Sequence, residues 1–164
     1  MLGIKFIKFD SMTYVVLYKN GKIKKEGKGL SFFYFAPKSS IAAIPLGSND
    51  LQFIFNESTQ DFQTISIQGQ IVYKIENSKQ LSELLDFTVD DRGNYKKKDI
   101  DKLNQRLISE AQTAASAFIQ GLTLKDSLRS AKRIETEIMS GLKSSKAVEM
   151  LGVTQAQQVC EVEL

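Results

Sequence analysis

From residue 64 to residue 75 the chain reads TISIQGQIVYKI, an alternation of apolar and polar positions with almost no break. In an extended chain Ile65, Ile67, Gly69, Ile71, Tyr73 and Ile75 fall on one side. Ser66, Gln68, Gln70 and Lys74 fall on the other, with Val72 the exception. The alternation predicts a half-buried strand that begins near Phe62 and ends at Glu76. The residues before it read as further strands. MTYVVLYK (12–19) is followed by Asn20-Gly21, the strongest short hairpin signal, and then by KIKKEGKG. LSFFYFAP (30–37) is an apolar run closed by Pro37. IAAIPL (41–46) and DLQFIFN (50–56) are shorter strands separated by the Gly47-Ser48-Asn49 turn.

After Glu76 the period changes. Asn77 with Gln80 makes a helix start, and Leu81, Leu84 and Leu85 give that helix a face. Residues 89–98 are polar and irregular and read as a loop. From Asp99, the positions Ile100, Leu103, Leu107, Ile108, Ala111, Ala114, Ala115, Phe118 and Ile119 recur at three- and four-residue spacing, and Gly121 closes that helix. Thr123 with Asp126 makes a second cap. Ile134, Ile138 and Leu142 continue a stripe, although Gly141 and Ser144-Ser145 interrupt the helix signal. After Gly152 the sequence QVCEVEL reads as a strand again. Strands, then helices, then a last strand is an α+β order. The expected fold has an N-terminal, mostly antiparallel twisted sheet, helices packed on it, and a final strand returning beside residues 62–76. It is a single domain over residues 1–164, strand-rich over 1–76, helix-rich over 77–151 and closed by a strand at 156–164.

The 164 residues are 42% hydrophobic and 25% charged, enough apolar material for a real core. The net charge of +3 is unevenly spread. Residues 1–38 hold eight lysines against Asp10 and Glu26, a net +6, which leaves −3 on the rest. Two readings stand: attraction to an anionic surface, or a solvated lysine face that keeps a sheet edge soluble. Histidine is absent and there is one cysteine. That excludes Ser-His-Asp and Cys-His chemistry and the usual zinc sites, and it points to a reducing compartment. Cys160 reads as a small buried apolar residue rather than a nucleophile. The opening MLGIKFIKF is no secretory signal, and no window approaches the ~20 apolar residues of a spanning helix.

Chemistry-bearing groupings are sparse. Asp90-Asp91 and the pair Asp99/Asp101 lack the oxygen count of a calcium loop, and helix-dipole placement accounts for the second pair. No phosphate-binding glycine pattern occurs. The aromatic run Phe32, Phe33, Tyr34, Phe35 is too continuous for a nucleic-acid stacking platform and reads as a buried strand. The expectation is a protein without catalytic residues, cofactor or metal, and without a nucleic-acid partner.

Taken in order, four segments resemble the SPFH (band 7) domain of the stomatin, prohibitin and flotillin family. YVVLYKNGKIKKEGKGLSFFYFAP carries Gly27, Gly29, Leu30 and Pro37 of its opening. TQDFQTISIQGQIVYKI supplies Thr59, Asp61, Ile65, Ile67, Gly69, Ile71, Tyr73, Lys74 and Ile75. IQGLTLKDSLRSAKRIETEI and MLGVTQAQQVCEVEL fill the later places, with Leu151 standing where the family has tryptophan. No spanning segment precedes the domain, and an end within a strand suggests a fragment of a longer chain. The resemblance implies a non-catalytic, membrane-associated scaffold that forms homo-oligomers and organises or regulates membrane lipids and proteins such as proteases. It implies peripheral attachment on the cytoplasmic side of a membrane. A physical route is available in Leu2, Ile4, Lys5, Phe6, Ile7, Lys8 and Phe9, whose apolar members dip into the headgroup boundary while lysines meet anionic lipid. The competing reading makes the same residues the first strand of the core. The alternative function is a soluble adaptor that binds proteins through an exposed helix face at 132–146. A hydrolase or transferase has the least support.

Overall fold

The computed structural model describes residues 3–145 and, for the backbone alone, residues 160–163. Leu2, Lys146, Leu151, Leu164 and the part of the closing strand expected at 156–159 lie outside the described residues, as does the Cys160 side chain. The fold is α+β, with antiparallel strands first and helices after them. Its strands are distributed over three sheets. Boundaries at Gly47/Ser48, Lys74/Ile75 and Lys102/Leu103 divide the chain into two compact units, each built from two stretches of sequence.

The first unit contains β1 (Ile4–Lys8), β2 (Thr13–Lys19), β3 (Lys22–Lys28), β4 (Ser31–Phe35), β5 (Ser39–Pro45), helix α1 (Ser78–Leu84) and the short β8 (Thr88–Val89). β2 and β3 form the hairpin signalled by Asn20-Gly21. Both residues have positive φ, 52° and 78°, as a tight two-residue turn requires. These strands join β5 and β8 in the order β3-β2-β5-β8, which leaves lysine-rich β3 on an edge. β1 and β4 make a separate antiparallel ribbon. Its inward residues Ile7, Phe32 and Tyr34 pack with Val15, Leu17, Ile41, Ala43 and Val89 of the four-stranded sheet. Asn77 caps α1 by accepting from Gln80 N at 3.1 Å, as the sequence predicts. Residues 89–98 are more ordered than the loop expected of them. Val89 bridges Tyr95, and the Tyr95 hydroxyl donates to Ala43 O at 2.8 Å. A two-residue strand leaves no periodicity to read, so β8 is silent in the sequence.

The second unit contains β6 (Asn49–Ser58), β7 (Thr64–Tyr73), most of α2 (Asp99–Ile119), α3 (Leu124–Leu128), α4 (Ala131–Ser144) and β9 (Cys160–Glu163). β7 is the alternating strand of the sequence. It pairs with β6 along its whole length and, on its other side, antiparallel with β9, from Ser66↔Glu163 to Gly69↔Cys160. The returning strand therefore lies where the sequence predicts. Phe53, Phe55, Ile65, Ile67, Ile71 and Tyr73 are buried, and so is the α2 stripe Leu103, Leu107, Ala111, Ala115 and Ile119. α4 runs unbroken through Gly141, burying Ile134, Ile138 and Leu142. The reason is space: a Cβ at position 141 would come within 2.5 Å of the Ala114 Cβ, so glycine lets the two helices touch.

Candidate functional site

Among the described residues, the ribbon β1–β4 presents a grouping of exposed apolar side chains that two strands build together. Its register pairs Ile4 with Phe35, Lys5 with Tyr34, Phe6 with Phe33, Ile7 with Phe32 and Lys8 with Ser31. Opposed residues of an antiparallel pair share a face. Ile7, Phe32 and Tyr34 therefore point into the core, and Ile4, Phe6, Phe33 and Phe35 point out. Their exposures are 55%, 54%, 72% and 41%. The Phe6 and Phe33 rings lie 4.9 Å apart at 50°. Gly3 fixes the entry to β1. Its φ of +107° requires glycine, a Cβ there would come 2.6 Å from the Phe35 ring, and its carbonyl accepts from Ala36 N at 2.7 Å. An exposed apolar cluster of this kind marks a surface for contact with a partner or a membrane.

The structure separates the residues proposed at the sequence level for membrane contact. Ile4, Phe6 and Lys8 are exposed and share the outward face. Ile7 is 7% exposed and belongs to the core, because strand alternation turns it opposite to Phe6. It leaves the candidate set. Phe9 is half-buried against the same core. Lys5 falls on the inward parity and reaches the loop after β8, where its ammonium pairs with the Asp91 carboxylate. That hydrogen bond and charge raise the Lys5 pKa and lower that of Asp91, so the pair is charged and mutually satisfied. Phe33 and Phe35 are the residues the sequence reading missed. A run of four aromatics carries no polar alternation, so it does not announce that its two parities part company. Only the parity of Ile4 and Phe6 opposite them could have given the signal.

Asp90 and Asp99 are engaged structurally. Asp90 accepts from Arg92 N and Asn94 N, both at 2.9 Å, and shapes its own turn. Asp99 accepts from Asp86 N at 2.8 Å and pairs with Lys102 at 3.3 Å, which together hold its pKa down. Among the described residues no cluster of three metal-ligating side chains occurs, and no helix is long and apolar enough to cross a membrane. The outward face of α4 is polar. Lys132 pairs with Glu135 at 3.1 Å, and Arg133 lies over the half-buried Phe118 ring at 5.3 Å, on the face proposed for a soluble adaptor.

The order of segments along the chain agrees with one comparison. A model of the SPFH domain / Band 7 family matches residues 8–161. The chain belongs to this family. Its members are membrane-associated scaffolds and are generally non-catalytic. No curated protein matches the chain. In this SPFH domain the matched region begins at Lys8, so β1 lies almost wholly before it and Phe33 and Phe35 lie within it. The outward face is thus shared between the family's region and the residues just ahead of it.

Proposed function

We propose that this SPFH domain is a non-catalytic scaffold that attaches peripherally to a membrane through the outward face of the β1–β4 ribbon. Copies of it assemble with one another to organise or regulate lipids and proteins of that membrane, proteases among them. The observation that carries the reading is the four-residue apolar face, Ile4, Phe6, Phe33 and Phe35, held in water by a strand pair whose other face is in the core. Each phenylalanine moved fully from water into an apolar phase would contribute about 1.5–3 kcal/mol, and insertion at a headgroup boundary captures a fraction of that. Lys8 borders the face, and the exposed lysines of β3 belong to the same basic stretch, each worth about 1 kcal/mol close to anionic lipid. Lys5 adds little, since Asp91 already neutralises it. One cysteine in the chain fits the cytoplasmic, reducing side.

Flotation with anionic vesicles tests the proposal. Deleting β1 would remove Ile7 from the core, so surface variants are the better probe. Phe6→Ser with Phe33→Ser should abolish co-flotation while the protein stays folded by circular dichroism. Undiminished flotation of that folded variant would reject the ribbon as the attachment site.

A further inference from the structure

The turn between β6 and β7 holds a second exposed aromatic at an unfavourable position. Thr59 N donates to Gln63 O at 2.8 Å and Phe62 N donates to Thr59 O at 3.1 Å. The Thr59 hydroxyl accepts from Gln63 N at 3.1 Å and donates to the Asp61 carboxylate at 2.5 Å. Asp61 also accepts from Leu124 N at 3.0 Å, and Gln60 N donates to Leu122 O at 2.8 Å. The turn is fixed from both sides. It places Phe62 at φ 59°, in the left-handed region, with its side chain 90% exposed. A bulky side chain there is strained, where glycine or asparagine would not be. An aromatic ring in water adds a second cost at the same residue. Among the described residues nothing covers the ring, and such strain points to a contact outside the chain.

The charges indicate the occupant. By sequence the first unit holds 14 Lys and Arg against 9 Asp and Glu, a net +5, and the second holds 8 against 10, a net −2. Phe62 projects from the acidic unit, which an anionic bilayer repels and the basic unit of another copy attracts. We propose that Phe62 is an anchor by which the second unit of one copy docks on the first unit of a second copy. The contact is head-to-tail, joining different surfaces of identical chains, and so repeats from copy to copy. This rests on the reading of the chain as a self-assembling scaffold and names a residue and a polarity for that assembly.

Sedimentation velocity of the whole chain without lipid, over a range of concentrations, tests it together with melting curves taken at the most dilute of them. Phe62→Gly and Phe62→Asn should weaken self-association by about tenfold or more, as loss of a buried aromatic anchor does. The same variants should melt about 2 °C higher, because the strain is gone. Phe62→Leu, which keeps an apolar anchor, should retain most of the association, and the wild type should dissociate as salt rises. Unchanged association in Phe62→Gly overturns the proposal, as does a lower melting point, which would make the ring structural. Reduced vesicle flotation with unchanged association would overturn it in favour of a bilayer contact. A wild type that stays monomeric throughout contradicts the self-assembly reading itself.

Discussion

Gly141 shows how one residue decides a contact. A methyl group there would have 2.5 Å to the Ala114 Cβ, well inside van der Waals distance, while glycine in mid-helix costs about 1 kcal/mol in propensity. Overpacking costs about 1–3 kcal/mol and the propensity gain offsets about 1, so Gly141→Ala should lower stability in urea titration by up to about 2 kcal/mol net, and adding Ala114→Gly should restore most of the loss. Tyr73 is buried and donates its hydroxyl to Asn104 at 2.6 Å. Burial pushes its pKa up to about 12. A raised tyrosine pKa favours the neutral form in the fold, so its contribution is complete below the unfolded value near 10 and is lost as pH rises towards 12. Alkaline melting should therefore be steep between those values, and Tyr73→Phe should flatten it. Asp61 has the opposite sign. Its hydrogen bond from Thr59, with those from the backbone, lowers its pKa, so stability present above the unfolded value near 4 is lost as pH falls through the folded one. At this scale the helix caps were legible, since Asn77/Gln80 and Thr123/Asp126 each make the bonds that their spacing predicts. Gly141 was not, because sequence marks a glycine as a helix breaker without naming the neighbour that needs the space.

Among the elements, the ribbon contains the division between folding and function. Its two parities are both apolar, so the hydrophobic pattern of β4 does not state which side is covered. The pairing does. Ile7→Ala removes packed core and should cost about 2–4 kcal/mol, whereas Phe33→Ser, at 72% exposure, should stay within about 0.5 kcal/mol, both read by urea unfolding. The converse holds for vesicle binding, where only Phe33→Ser alters a side chain on the outward face. β7 and α2 were legible because ten and 21 residues give a period room to repeat. β8 and the bridge at Tyr95 were not, because their order comes from a hydroxyl reaching Ala43, a partner 52 residues away. β3 reads equally as a solubilising edge or as an anionic-surface contact, and its place at the margin of its sheet serves either purpose.

At the scale of the molecule, a membrane contact of one short ribbon is weak. Three rings and an isoleucine partly inserted, with few uncommitted cations, amount to a few kcal/mol, comparable to a single acyl chain that anchors only reversibly. Assembly changes that result, because each added copy binds a surface to which its neighbours already hold it. The α+β order, the return of the last strand beside β7 and the family were all within reach of the sequence, since each rests on long periodic segments in a fixed succession. The division into two interleaved units was not, because each unit joins stretches that are distant along the chain. The most direct measurement of the central claim is the emission of an environment-sensitive fluorophore attached at position 33, through Phe33→Cys in a Cys160→Ser background, with a control at the similarly exposed Ile54. Addition of anionic vesicles should shift the label at 33 to the blue and leave the label at 54 unchanged. No shift at 33, or equal shifts at both positions, would contradict the account.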